Sequence, residues 1–257
     1  MSRLIDKLRK LSQAEPQPMG FRTSRLVEAS SKILIIGRLT VNSAAAPLKS
    51  SPGADAILFH TGESEPMVKD IQKTAKSLGD IPWGVYLEES GSNTAALLEA
   101  GCDFVVLSPT LPIPDLPQDE KIGKILQVDS SMDDGLLRAV NDLPADALLV
   151  ADTLENSKTL TMHQLMIYRH LASFIAKPLI VPVPANITEA ELKALQDAEI
   201  DGVMAEMDEE NFKELQKTVS KLPPRTVKKR DKLGVLLPHI GGETSAAPPD
   251  EEEEEDE

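Results

Sequence analysis

The sequence predicts an α/β protein built as a closed (βα)8 TIM barrel, with an N-terminal helical extension and a disordered acidic C-terminal tail. Three observations point there. Eight short apolar runs are spread along the chain, segments of helical periodicity lie between them, and every second run is preceded by an aspartate. The aspartate segments are GADAILFH (53–60), GCDFVVLS (101–108), PADALLVAD (144–152) and EIDGVMAE (199–206), which supply Asp55, Asp103, Asp146 and Asp201. The other runs are KILIIG (32–37), PWGVYLE (82–88), KILQVDS (124–130) and PLIVPV (178–183). From the first residue of each of these to the next repeat aspartate the spacings are 23, 21, 22 and 23.

Branched aliphatic runs without strict alternation are the pattern of strands covered on both faces. Strands that alternate with helices pair in parallel through right-handed crossovers. Eight such units in 257 residues suit a closed barrel. An open doubly wound sheet is the alternative, and it is disfavoured because no glycine fingerprint follows the first strand.

In chain order, residues 1–31 precede the barrel. Leu4, Leu8 and Leu11 form a stripe beside Arg3, Lys7, Arg9 and Lys10. Such a helix could cap the barrel bottom, pair with another subunit, or lie on a membrane surface; its short stripe favours the first two. The barrel itself spans 32–222. After the first strand, TVNSAAAPLKSS leaves room only for a short helix. Residues 64–79 place Met67, Ile71, Ala75 and Leu78 on one side and end at Gly79. Residues 92–101 follow, and then the proline-rich PTLPIPDLPQDEKIG, which allows at most one helical turn near Asp119. Helices are expected over 131–144, 159–178, 188–198 and 208–222, with Thr188 and Glu191 spaced as a capping box. Residues 223–257 form a tail with a basic cluster, a short apolar patch and an acidic end.

Composition narrows the partners. Aromatic residues make up 3% of the chain, too few for stacked nucleobases. The net charge is −15, about half of it in residues 250–257, and a negative body repels phosphate backbones and anionic bilayers. The basic cluster at 225–232 is read as offsetting nearby acid rather than binding nucleic acid. The single cysteine, Cys102, rules out an intramolecular disulfide. No apolar run is long enough to span a bilayer, and the N-terminus lacks the form of a secretory signal. These features set the expectation of a cytoplasmic protein whose partner is a small molecule or another protein, with homo-oligomerisation open.

The GADAI and IDGVM turns resemble those of the ribulose-phosphate-binding group of aldolase-type barrels, over about residues 32–222. That resemblance implies a phosphate grip after the seventh and eighth strands, built from glycines and a Gly-Ser pair at a helix N-terminus. This chain departs there. VPVPANIT carries Pro182 and Pro184, which lack N–H donors, and AEMDEEN places Glu206 and Met207 where the Gly-Ser pair would stand. Several carboxylates beside a phosphate repel it, so the phosphate site is not carried over.

Chemistry in this architecture comes from the C-terminal ends of the strands. The strand ends offer His60, Asp129 and Asp152 as candidate catalytic groups. Arg38, Glu88, Ser108 and Asn186 are candidate substrate contacts. Glu88, Asp129, Asp152 and Glu206 could hold a divalent metal if one is used; the cofactor is otherwise unknown. Against this stands the solvated rim, because any strand turns polar where it surfaces. Gln127 and Asp129 share a face and suggest a polar interior layer. His163 and His170 on the long sixth helix read as surface or packing residues. No lysine stands at a strand end or in mid-strand, which argues against a Schiff-base aldolase, and Cys102 lies before its strand, a poor place for a nucleophile.

Two functions follow. One is a retired barrel serving as a binding or assembly scaffold without phosphate-sugar activity. The other is an acid–base or divalent-metal-assisted lyase or isomerase acting on a small polar metabolite. The absent phosphate grip, the absent lysine and the charged extensions favour the first.

Overall fold

The computed structural model describes residues 2–12, 32–41, 53–61, 68–77, 79–87, 94–151, 159–184, 186–206 and 209–223. Its strands are β1 (Leu34–Val41), β2 (Ala56–Thr61), β3 (Trp83–Leu87), β4 (Phe104–Leu107), β5 (Gly123–Val128), β6 (Ala147–Val150), β7 (Leu179–Pro182) and β8 (Gly202–Glu206). All pair in parallel with their sequence neighbours, and β1 pairs with β8, which closes the barrel. The helices are α1 (Arg3–Ser12), α2 (Val68–Ser77), α3 (Thr94–Glu99), α4 (Asp134–Ala139), α5 (Met162–Phe174), α6 (Glu189–Asp197) and α7 (Glu209–Lys221).

Strand parity sorts the apolar residues into two cores. On one side of each strand, residues such as Ile35, Phe59, Val105, Leu148, Val181 and Val203 face the surrounding helices. Leu34, Ile36, Leu58, Phe104, Val106, Ile125, Leu149, Ile180 and Met204 fill the barrel interior, and Leu4, Ile5, Leu8 and Leu11 of α1 join that second core. The N-terminal stripe is therefore buried inside the barrel, with Leu4 and Leu8 at 0% exposure. Gly123 leaves the room for it. A Cβ on Gly123 would lie 2.5 Å from Ile5 Cγ1 and 2.8 Å from Ser2 Cβ.

The spaced aspartates have one structural explanation. Asp55 donates its N–H to the carbonyl of Ile35 and accepts the N–H of the same residue at 3.1 Å on its carboxylate. Asp146 does the same with Lys124, and Asp201 with Leu179, at 3.0 and 2.9 Å. Each carboxylate thus staples the start of an even-numbered strand to the strand before it. An aspartate at that point satisfies a donor at the sheet end that would otherwise lack a backbone partner. Asp103 keeps the backbone half of the pattern, donating to Trp83, but turns its carboxylate to α1. It accepts from Ser2 Oγ at 2.8 Å, Arg3 N at 2.9 Å and Leu4 N at 3.1 Å. An anion at a helix N-terminus also matches the helix dipole. Three basic residues of α1 then reach three of the four aspartates: Arg3 to Asp103 at 3.8 Å, Lys7 to Asp55 at 3.4 Å and Arg9 to Asp146 at 2.6 Å. The helix sits on the strand entrances as a plug matched in shape and charge.

Differences from the sequence expectations are local. The turn after β4 is a 3-10 turn at Ile113–Asp115, opened by prolines, and not one near Asp119. Asp119 instead accepts the N–H of Lys121 at 2.8 Å in a side-chain turn that competes with helix. The helix expected over 131–144 starts after Asp133, whose carboxylate caps Leu136 N, and ends in a 3-10 turn at Val140–Asp142. Thr188 and Glu191 form the expected capping box, and Thr161 with Gln164 forms a second. The segment after β1 and the tail beyond residue 223 lie outside the described residues.

Candidate functional site at the barrel mouth

Above the apolar filling, the same inward parity brings polar residues to the C-terminal ends of the strands: Arg38 on β1, His60 on β2, Tyr86 on β3, Gln127 on β5 and Glu206 on β8. Arg38 and Glu206 are register partners across the β1–β8 seam, and His60 is the register partner of Thr40. Tyr86 organises the centre. Its ring packs on the interior core and lies against His60, with centroids 5.3 Å apart and planes tilted by 57°. Its hydroxyl donates to Gln127 Oε1. Arg38, His60, Tyr86 and Gln127 are all half-buried. A tyrosine hydroxyl withdrawn this far from water requires an acceptor, and the Gln127 amide oxygen supplies it.

Several sequence candidates lie elsewhere. Asp129 is exposed, and its Oδ1 accepts from both the N–H and the Oγ of Ser131 at 2.7 Å. Those bonds, the side-chain one foremost, hold its carboxyl below the usual range. Asp129 is thus an ionised rim group that closes a turn. Ser108 Oγ pairs with Thr110 Oγ1 at 2.7 Å and accepts Thr110 N–H, a local turn as well. Asn186 and Glu206 are exposed. Glu88 and Asp152 lie outside the described residues, and the last described residue of the sixth strand's exit is Ala151. Among the described residues no three His, Cys, Asp or Glu side chains converge on a point that could hold a metal ion.

The backbone at the β7 exit offers few donors. Pro182 and Pro184 have none, Val183 N–H is bound to Met204 O at 2.8 Å, and Ile187 N–H to Pro184 O at 3.3 Å. Lys124 enters β5 at an outward-facing position. Cys102 is buried beneath β4, its Sγ donating to Phe104 O at 3.1 Å; burial pushes its thiol up to about 12. Neither side chain reaches the mouth.

Solved structures that share this fold include tryptophan synthase alpha chains. One from Pyrococcus furiosus, a point mutant, is 12% identical, covers 75% of this chain and 98% of its own length, and superposes with a TM-score of 0.55. One from M. tuberculosis is also 12% identical, covers 86% of this chain and 98% of its own, with a TM-score of 0.58. The likeness is one of fold. The chain is a closed eight-stranded parallel barrel, and no family model and no curated protein matches it.

Tyr86 is not among the sequence candidates, although a signal for it exists. It sits two residues before Glu88, on the same parity, and is one of two tyrosines of the chain. Choosing residues for charge alone passes over a neutral hydroxyl that faces the same way.

Proposed function

We propose that the protein is a binding scaffold, a barrel retired from sugar-phosphate chemistry whose mouth receives a small polar molecule without a phosphate group. The half-buried layer of His60, Tyr86 and Gln127 directly above the apolar filling carries this reading. Polar side chains are costly at such depth, and a ligand-facing role accounts for their presence. The engaged or missing donors at the β7 exit and the exposed Glu206 at the β8 exit support the exclusion of phosphate. Arg38, Ser108 and Asn186, with Glu88, are the remaining groups proposed to touch the ligand. Assembly with a protein partner or a second copy belongs to the same reading. A barrel of the same fold from Pyrococcus furiosus, 13% identical with a TM-score of 0.52, is described in an a2b2 tryptophan synthase complex.

The experiment is a thermal-shift screen of orthophosphate and sugar phosphates against non-phosphorylated amino acids, dicarboxylates and polyamines. A ligand at 100 times its dissociation constant stabilises by about 2.7 kcal/mol. The expected hit carries no phosphate, and Tyr86→Phe with Gln127→Leu abolishes its effect. Stabilisation by phosphate compounds alone would refute the proposal.

The contact of His60 with Tyr86 favours a second reading, acid–base or metal-assisted lyase or isomerase chemistry. There His60 moves the proton, Asp129 and Asp152 assist, and Glu88, Asp129, Asp152 and Glu206 would hold a divalent ion. Exchange of ligand protons with deuterated solvent, present in the parent and lost in His60→Gln, separates this reading from the first.

A further inference from the structure

Gln127 lies in register with Leu149 and one inward position above Ile125, at the top of the apolar filling. Its carbonyl oxygen accepts the hydroxyl of Tyr86, and among the described residues its Nε2 has no partner. A primary amide offers two N–H donors and two oxygen lone pairs. With Tyr86 using one of these, an N–H and a lone pair remain, whichever way round the amide lies. Half-buried above apolar side chains, that donor gains from a partner, because polar groups withdrawn from water are costly to leave unpaired.

Flat surfaces bound the space above it. On one wall the rings of His60 and Tyr86 meet, with centroids 5.3 Å apart. In the closed strand order, β6 and β7 stand across the barrel from β2 and β3. Their inward ends are Ala151, just past β6, and Pro182 on β7, on the parity of Leu149 and Ile180. Neither side chain can form a hydrogen bond, and Pro182 has no N–H. Charge narrows the occupant further. An anion would meet the exposed Glu206 and the ionised Asp129 at the rim. A cation would meet the guanidinium of Arg38, on the inward parity of Ile36, and the N–H donor of Gln127.

We propose that the mouth binds an uncharged, flat molecule through an amide edge, whose carbonyl accepts from Gln127 Nε2 and whose N–H donates to Gln127 Oε1. Its flat body lies between the His60–Tyr86 rings and the wall of Ala151 and Pro182. This rests on the reading of the mouth as a binding site and adds the chemical class of its ligand. The pairing is selective because it is bidentate: a carboxylate has no matching N–H, and an amine has no carbonyl. Tyr86 is a positioning residue, since its hydroxyl fixes the Gln127 amide.

The test uses the full chain and four ring compounds of similar size: benzamide, benzoate, benzylamine and benzamidine. Ligand-observed NMR measures their dissociation constants, in the millimolar range for benzamide. Benzamide is expected to bind at least about tenfold more tightly than the other three, and Gln127→Leu to weaken it by at least about tenfold. Gln127→Glu keeps an acceptor for Tyr86 but replaces the N–H donors by a carboxylate, so it should reverse the order and favour benzamidine over benzamide. A residue that only packs the layer would not produce that reversal. Benzamide binding that survives either substitution would overturn the proposal, as would failure of benzamide to bind the parent protein. Equal or tighter binding of benzoate or benzylamine, lost in Gln127→Leu, would also overturn it while leaving the mouth a binding site for another class. Stabilisation by phosphate compounds alone would refute both readings.

Discussion

Replacing Asp103 with Ala removes one carboxylate that serves three donors at the start of α1: Ser2 Oγ, Arg3 N and Leu4 N. Leu4 is fully buried, so its amide has no route to water once the acceptor is gone. Loss of a helix cap costs about 0.5–2 kcal/mol, and a buried donor left without a partner costs about 1–3 kcal/mol. The ion pair with Arg3 adds little, below about 1 kcal/mol, because that guanidinium is 55% exposed. These contributions overlap on a single side chain, so the expected loss is about 2–4 kcal/mol. Urea denaturation followed by circular dichroism measures it, and amide exchange in α1 shows where it falls. Asp103→Asn keeps an acceptor and should lose roughly half as much. A loss under about 0.5 kcal/mol with α1 exchange unchanged would refute the plug as described. A loss reproduced in full by Arg3→Ala would refute the capping account in favour of charge alone.

Further outcomes are equally direct. Gly123→Ala should cost about 1–3 kcal/mol by driving a methyl into Ile5 and Ser2, and Ile5→Ala in the same chain should recover part of that loss. Cys102, with its thiol pushed up to about 12 by burial, should be inert to a thiol reagent in the native protein and react at the rate of unfolding; fast native labelling would show that the bottom of the barrel opens. Burial acts to raise Glu191, yet the Thr188 hydroxyl and the N–H groups of Thr188 and Leu160 outweigh it, so its folded value lies below the ordinary 4.5. A carboxyl lowered on folding contributes stability above its unfolded value and loses it as pH falls through the folded one. Urea midpoints should therefore fall below about pH 4.5, and Glu191→Gln should flatten that slope.

The barrel is legible in the sequence because strands covered on both faces leave a compositional trace at a regular interval. The repeat aspartates are legible as a pattern, but their purpose is not. Asp103 meets Leu4 across 99 residues, and no local signal records such a contact. The mouth shows the opposite limit. Inward parity correctly marks His60 and Gln127 as lying above the apolar filling, because alternation is a local property of a strand. Asp129 obeys the same parity in sequence, yet it lies just past the end of β5, where its carboxylate bonds to Ser131 and closes a turn. Asp119 is similarly expected in a helical turn that its own side chain prevents. Short acidic side chains serve their neighbours first, and only coordinates show which remain for a ligand.

The polar layer poses a question of stability as well as of function. With α1 closing the bottom and the interior apolar up to Met204 and Leu149, an all-apolar barrel would be the simpler solution. The hydrogen bond from Tyr86 to Gln127 returns only about 0.5–1.5 kcal/mol net, while removing both partners for apolar groups of similar shape is near neutral. If the layer exists for packing, the double change Tyr86→Phe with Gln127→Leu should destabilise the barrel by more than that net value. If it exists for a ligand, the double variant should be as stable as the parent or more so, and should lose only ligand-induced stabilisation. Each single change removes that one part-buried hydrogen bond and should cost about 0.5–1.5 kcal/mol under either account. The double variant therefore discriminates through both readouts together: unchanged stability of the empty barrel combined with loss of ligand-induced stabilisation marks a layer maintained for binding.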